Sequence, residues 1–96
     1  MIEHIKHKGL KKFWYQNDTS LLPPARVERI KMILNLIEET EIMPDDLIVF
    51  HTLELHQLKG DLKGFWSISV SGNFRIIFKF DNQNKLATNL DLVDYH

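Results

Sequence analysis

The sequence predicts an α+β fold, in which a small antiparallel β-sheet carries two helices of the N-terminal half packed on one face. Two observations support this prediction. Apolar residues in the first half recur at helical spacing, whereas those in the second half alternate with polar residues, as in strands with one buried face. Short polar turns separate the alternating segments, which favours antiparallel neighbours. The predicted element order is β-α-α-β-β-β.

The N-terminal segment holds the first strand candidate and the first helix. Residues 1–5 are apolar at positions 2 and 5 and form a short strand candidate. Residues 7–16 carry Leu10, Phe13 and Trp14 at the spacing i, i+3, i+4, which suits one face of a helix. A cluster of turn-forming residues at 17–20 ends this helix.

The second helix is predicted over residues 25–39. Pro23 and Pro24 stand where a helix begins. The apolar stripe of this helix consists of Val27, Ile30, Ile33, Leu34 and Ile37. Residues 43–46 end the helix, with one further turn after it.

Three strands are predicted in the second half, at residues 65–70, 74–80 and 86–93. A Ser71-Gly72-Asn73 turn joins the first two, and the polar run 81–84 joins the last two. If the even-numbered apolar residues of the first two strands face the helices, the odd-numbered polar ones face away. These are Ser67, Ser69, Arg75 and Lys79. Burial of the leucines at 53 and 55 turns His56 to the same side.

The last strand has two possible registers. One register buries three leucines, Leu86, Leu90 and Leu92. It places Tyr95 on the Arg75 side of the sheet, so that one open face gathers a histidine, an arginine, lysines and a tyrosine. Ala87 and Val93 are apolar at the opposite parity, which favours the other register.

Length and composition narrow the possible functions. The 96 residues are predicted to form a single domain, 1–96. The absence of cysteine excludes a disulfide framework, a thiolate zinc site and a cysteine nucleophile. No apolar run reaches the roughly 18 residues of a membrane span and no signal peptide is visible, so we expect a cytoplasmic protein without membrane contacts.

Charge is distributed in blocks, although the formal net charge is -1. Residues 1–12 and 56–79 are basic, whereas residues 38–54 carry acidic side chains and no lysine or arginine. A nearly neutral chain can therefore present a basic face if these blocks fold to different sides. The alternative is ordinary solvated charge.

The predicted open face has the side chains needed to cleave RNA by its own 2′-hydroxyl. That reaction requires a base for the hydroxyl proton, a cation for the phosphate and an acid for the leaving oxygen. Histidine carries protons near neutral pH because its ordinary pKa is about 6.5. Arginine binds phosphate through two parallel hydrogen bonds, lysine adds charge, and tyrosine stacks on bases or donates its hydroxyl. No step needs a metal.

Each of these residues also has a purely structural interpretation. His56 fits a surface histidine, Arg75 fits a cross-strand ion pair, and Lys59 fits a turn. Residues 94–96 fit a frayed terminus. The histidines at positions 4 and 7 have a spacing that suits a metal, but no third ligand is evident, so no metal or other cofactor is expected.

Several segments occur in an informative order along the chain. They are His7-Lys8-Gly9-Leu10-Lys11-Lys12-Phe13, Leu55-His56-Gln57-Leu58-Lys59-Gly60-Asp61, Gly64-Phe65-Trp66-Ser67-Ile68, Gly72-Asn73-Phe74-Arg75-Ile76-Ile77-Phe78 and Asp94-Tyr95-His96. In these segments the sequence resembles the HigB toxins, a branch of the RelE superfamily also called plasmid maintenance killer proteins. The resemblance covers essentially the whole chain.

The resemblance implies a RelE-like fold and a ribosome-dependent messenger-RNA endonuclease. It also implies a cognate helix-turn-helix antitoxin of the HigA type, through which alone the protein would contact operator DNA. His56 would be a proton carrier or phosphate contact, Lys59 would add positive charge, and Arg75 would grip the scissile phosphate. Tyr95 and His96 would orient groups or transfer a proton.

Three further residues are predicted to support RNA binding. Asp94 belongs to the Asp-Tyr-His ending that the resemblance identifies, and Lys79 comes from the strand alternation. Asn73 fits the same family pattern but equally suits a structural role in its turn.

Two rival interpretations remain. The first is a catalytically silent relative that only binds an antitoxin or corepressor. The second is a free-standing RNA-binding module, which predicts a more basic chain than this one. The presence of His56, Lys59 and Arg75 favours the enzyme, and the low net charge makes the ribosome or the basic face more important for binding.

Overall fold

The computed structural model describes residues 1–94, so the interpretations of Tyr95 and His96 lie outside the described residues. The helices are α1 (Lys8–Gln16), α2 (Val27–Glu39) and α3 (Asp45–Ile48), and the strands are β1 (His56–Gln57), β2 (Trp66–Ser69), β3 (Phe74–Asp81) and β4 (Leu86–Asp94). Within the described residues the strands form one sheet in the order β1-β2-β3-β4, and every neighbouring pair is antiparallel. The α+β prediction is confirmed.

The N-terminal strand candidate forms two isolated bridges rather than a strand. Ile2 pairs with Ala87 and Ile5 with Leu90, both in parallel orientation. The backbone N–H of Glu3 donates to the Ala87 carbonyl at 2.8 Å. Both isoleucines are buried, so the segment lies along β4 at the edge of the sheet away from β1.

The two long helices form close to where the sequence predicts them. His7 precedes α1 and caps it, because its Nδ1 accepts the Leu10 backbone N–H at 3.2 Å. A 3-10 turn at Pro24–Arg26 leads into α2, which therefore begins two residues later than predicted. Four residues of its predicted stripe are buried, Ile30, Ile33, Leu34 and Ile37.

The hydrophobic core lies between the helices and one face of the sheet, as the alternation predicts. The even-numbered residues Ile68, Val70, Ile76 and Phe78 are buried in this core, and Trp66, Phe74 and Phe80 pack against it. Leu53 is also buried and Leu55 packs against the core, but neither belongs to a strand. Leu53 ends a 3-10 turn and the next residue, Glu54, has a left-handed backbone with φ of 48°.

A β-bulge in β4 resolves the two possible registers of the last strand. The pairing with β3 shifts between Ile77 and Lys79, and Asn89 adopts a left-handed conformation with φ of 56°. The extra residue allows Ala87 and Leu90, which have opposite parity, to be buried on the same side. The prediction that Leu86 is buried is wrong, because the bulge places Ala87 in the core instead.

Candidate active site

The outer face, defined as the face of the sheet away from the helices, is ordered by cross-strand rows. Residues directly opposite each other in antiparallel strands share a face. One row consists of His56, Ser67, Ile77 and Asp91, and the neighbouring row consists of Ser69, Arg75 and Val93. The register therefore places His56 and Arg75 on one face, as predicted from the sequence.

Arg75 is anchored next to His56 by a buried serine. Its guanidinium Nη1 donates to the Ser67 Oγ at 3.2 Å. Ser67 is the direct cross-strand partner of His56, and neighbouring strands lie about 5 Å apart. The guanidinium is thus held one strand away from the imidazole, although the Cα atoms of His56 and Arg75 are about 12 Å apart by strand geometry.

The centre of the outer face is closed rather than open. Ser67 has 0% relative exposure, and Ser69 and Ile77 are also buried. The sequence correctly assigns Ser67 and Ser69 to this face, but the face that it describes as open is closed at these two residues. The Arg75 side chain reaches across to Ser67, so the accessible groups, among them His56 and Lys79, lie around a covered centre.

The His56 imidazole is exposed and its orientation is defined by one hydrogen bond. Nδ1 lies 3.1 Å from the backbone carbonyl oxygen of Glu54. A carbonyl only accepts, so Nδ1 carries the proton in this contact. Nε2 then presents a lone pair in the neutral ring and an N–H in the charged ring, so it is the ring nitrogen left available for proton exchange.

An arginine that the sequence did not single out positions the segment before β1. The Arg29 Nη2 donates to the Thr52 carbonyl at 2.6 Å and to the Ser69 carbonyl at 2.9 Å. These bonds join α2 to the approach to β1 and to the end of β2. Arg29 thereby supports the backbone that presents His56. It is one of several charged residues at the start of α2, and the sequence gave no signal of this role.

Lys79 and Lys59 lie toward the hairpin between β1 and β2. Lys79 is exposed, and its Nζ lies 5.1 Å from the centroid of the Phe65 ring. Lys59 is exposed and directly precedes the 3-10 turn Gly60–Leu62. It lines a cavity of about 370 Å³ together with Lys63. Lys59 therefore lies at a turn, as its structural interpretation requires, and together with Lys63 it also gives this cavity positive charge.

Asn73 and Asp94 lie away from the row that contains His56. The turn between β2 and β3 is closed by Ser71, whose Oγ accepts the backbone N–H of Asn73 at 3.3 Å and of Phe74 at 3.1 Å. Asn73 is exposed at this turn. Asp94 is exposed and pairs in register with Phe74, which packs toward the core, so its register position belongs to the helix face.

Acidic residues near the outer face do not form a metal site in the part of the chain that the structure describes. Asp91 belongs to the His56 row, and its Oδ2 lies 3.8 Å from the Lys6 Nζ. Across residues 1–94 there is no group of three or more His, Cys, Asp or Glu side chains that could hold a metal ion. Over the same residues, no helix has the length and apolar character needed to cross a membrane.

Comparisons with known proteins agree with the fold and cover nearly the whole chain. Residues 3–96 match a family described as the RelE-like toxin of the type II toxin–antitoxin system HigB. The Endoribonuclease HigB of Proteus vulgaris is 41% identical over 97 residues, and the match covers 100% of both chains.

Two solved structures share the fold at low sequence identity. The YoeB-YefM complex from Staphylococcus aureus matches with a TM-score of 0.62 at 16% identity, covering 100% of this chain and 95% of that one. YafQ from Escherichia coli matches with a TM-score of 0.55 at 16% identity, covering 98% and 91%. On the family match and the full-length identity, the chain belongs to the HigB-like toxins, the RelE-like toxins of type II toxin–antitoxin systems.

Proposed function

We propose that this toxin is an endoribonuclease that cleaves messenger RNA on the translating ribosome in the cytoplasm. The observation that carries the proposal is that Arg75 donates to Ser67, the cross-strand partner of the exposed His56, so that both side chains belong to one face of the sheet. Support also comes from the 41% identical relative, whose name states an endoribonuclease activity. The net charge of -1 favours RNA presented by a ribosome over capture of free RNA.

The reaction uses the RNA's own 2′-hydroxyl as nucleophile. His56 Nε2 takes the hydroxyl proton, because its Nδ1–H is already committed to the Glu54 carbonyl. The 2′ oxygen forms a bond to phosphorus, the bond to the 5′ oxygen breaks, and a 2′,3′-cyclic phosphate results. Arg75 donates two hydrogen bonds to the phosphate oxygens, where negative charge accumulates in the transition state.

The leaving 5′ oxygen requires a proton, for which we propose His96 as donor with Tyr95 as an orienting group. Lys59 and Lys79 contribute positive charge along the RNA backbone, since both are exposed beside this face. Asn73, at the turn between β2 and β3, and Asp94, at the end of β4, support RNA binding from positions away from the His56 row. No metal takes part in any of these steps.

The partners follow from the family and the proposed reaction. A cognate helix-turn-helix antitoxin of the HigA type binds the toxin and suppresses cleavage. Operator DNA is contacted only through that antitoxin, and the toxin has no membrane partner. Residues 1–96 act as a single domain in these interactions.

The proposal is tested with purified toxin and ribosomes programmed with a defined messenger RNA. We expect cleavage on the ribosome, little cleavage of the same RNA when naked, and products ending in a cyclic phosphate. Arg75→Ala should lower the rate about 100-fold or more, whereas Arg26→Ala, on an exposed turn, should not. Efficient cleavage of naked RNA, or an active and folded Arg75→Ala protein, would contradict the proposal. A wild-type protein that binds its antitoxin but never cleaves would favour the silent relative instead.

A further inference from the structure

Phe65 is an aromatic side chain outside the hydrophobic core cluster of the described residues. The other aromatic residues of the sheet point to the helix side, where they belong to the core or pack against it; they are Trp66, Phe74, Phe78 and Phe80. Phe65 is half-buried and is not part of that core cluster. A partly accessible aromatic ring therefore lies beside the face that carries His56 and Arg75.

The backbone holds Phe65 firmly in the next row of the outer face. Its carbonyl accepts the Leu58 N–H at 2.9 Å, and its own N–H donates to the Leu62 carbonyl at 3.0 Å. Phe65 directly precedes β2, and continuing the β2–β3 register one residue beyond the Trp66–Phe78 pair would set it opposite Lys79. This row lies two residues along β2 from Ser67, which is about 7 Å.

The Phe65 ring has a cationic neighbour. The Lys79 Nζ lies 5.1 Å from the ring centroid, within the range of a cation–π contact. Lys79 is exposed and makes no ion pair with a carboxylate of residues 1–94. An aromatic ring with an unpaired ammonium over it offers a nucleotide both a stacking surface and a charge for phosphate.

We propose that Phe65 and Lys79 form a nucleotide subsite, in which a base of the messenger RNA stacks on the Phe65 ring and Lys79 binds the phosphate of that nucleotide. This inference rests on the proposed endoribonuclease function and assigns a second contact to the same RNA. The step of about 7 Å between this row and the His56 row is comparable to the distance between neighbouring nucleotides in an extended strand. The base takes the place of the ammonium over the ring, and the ammonium turns to the phosphate.

Steady-state cleavage of programmed ribosomes tests the role of the ring. Phe65→Leu keeps an apolar side chain but removes the stacking surface, so KM should rise about 5- to 100-fold with a smaller change in kcat. Phe65→Trp should keep a KM near that of the wild type. Phe50→Leu is the matched control, because Phe50 is an exposed phenylalanine outside the subsite. Equal KM values for wild type and Phe65→Leu, or equal losses in the Leu and Trp variants, would overturn the proposal.

Salt dependence separates the contribution of Lys79 from that of the ring. Each phosphate contact on a single strand contributes about 0.7 to the slope of log affinity against log salt concentration. Lys79→Gln should reduce the slope of log (1/KM) by about that amount, whereas Phe65→Leu and the remote control Lys31→Gln should leave it unchanged. An unchanged slope in Lys79→Gln would remove Lys79 from the subsite. The two possible failures give different results. If the proposed function is wrong, the wild type itself does not cleave; if only the subsite is wrong, the wild type cleaves and the variants behave like it.

Discussion

Replacing Ser67 by alanine tests whether the buried hydroxyl positions the Arg75 guanidinium for catalysis. The hydroxyl accepts from Nη1 at 3.2 Å, at a site with no solvent exposure. A hydrogen bond to a charged group contributes about 1.5–3 kcal/mol, and the low end applies because the bond is long and Arg75 is only half-buried. Since about 1.4 kcal/mol corresponds to tenfold, we expect Ser67→Ala to lower the ribosomal cleavage rate about tenfold.

The same substitution should change stability little. Alanine fills nearly the volume of serine, and Arg75 is only half-buried, so water can solvate the guanidinium N–H that loses its partner. We therefore expect a melting temperature close to that of the wild type by circular dichroism. The matched control is Ser69→Ala, two residues along the same strand, because the Ser69 Oγ donates to the Ser71 carbonyl and not to Arg75.

A double-mutant cycle distinguishes loss of Arg75 positioning from a general effect of the small space that the missing Ser67 hydroxyl leaves. Once Arg75 is alanine, removing the Ser67 hydroxyl should cost no further activity, because the group that it positions is gone. Additive losses in the double variant, or equal activity in Ser67→Ala and Ser69→Ala, would refute the reasoning.

Four further outcomes are expected. Removing Tyr95 and His96 should abolish cleavage with little change in melting temperature, because the described core extends only as far as Leu92. Normal cleavage by the truncated protein would show that neither residue has a catalytic role. Removing zinc and manganese, with the magnesium that ribosomes need retained, should leave cleavage unchanged. Asn89→Val should lower the free energy of unfolding in urea by about 1–2 kcal/mol, because the left-handed backbone disfavours a β-branched residue. Hydrogen bonds from the backbone N–H groups of Ile42 and Glu41 lower the pKa of Asp46. The ionised carboxylate should therefore stabilise the protein fully above the ordinary pKa of 3.8, and this stabilisation should disappear as the pH falls through the lowered pKa. In Asp46→Asn, the free energy of unfolding should depend less on pH over that acidic range.

The two faces of the sheet could be predicted from the sequence because alternation depends only on strand geometry. Ile68, Ile76 and Phe78 are buried on the helix side, and Arg75 lies on the other side, as the parity requires. Extending the alternation to Leu53 and Leu55 correctly turned both leucines inward and His56 outward, although neither leucine belongs to a strand. A 3-10 turn followed by a left-handed residue produces the same burial, and periodicity over four residues does not separate the two.

The face on which the residues of the candidate site lie was easier to predict from the sequence than their burial. Alternation assigned Ser67 and Ser69 to the outer face but said nothing about what covers them. At Ser67 one covering group is the Arg75 side chain, whose Nη1 donates to the serine hydroxyl. Such diagonal contacts join residues eight positions apart, and they become visible only once the β2–β3 register is known. The supporting bonds of Arg29 span 23 and 40 residues and left no local signal for the same reason.

The bulge at Asn89 determines which side chains of β4 lie on the outer face. Before the bulge, Ala87 pairs with Phe80 on the core side; beyond it, Leu92 pairs with Ile76 and Asp91 with Ile77. A regular strand without the extra residue would reverse every side chain beyond it, directing the Asp91 carboxylate into the core and two leucines into water. Burial of an unpaired carboxylate is far more costly than one left-handed asparagine, so the bulge is the favourable solution for this sequence. It also brings the Arg75 row into register with the end of the chain, since Val93 becomes the cross-strand partner of Arg75. The bulge that made the last strand ambiguous in the sequence therefore places two residues on the outer face. They are Asp91, the ion-pair partner of Lys6, and Val93, the cross-strand partner of Arg75.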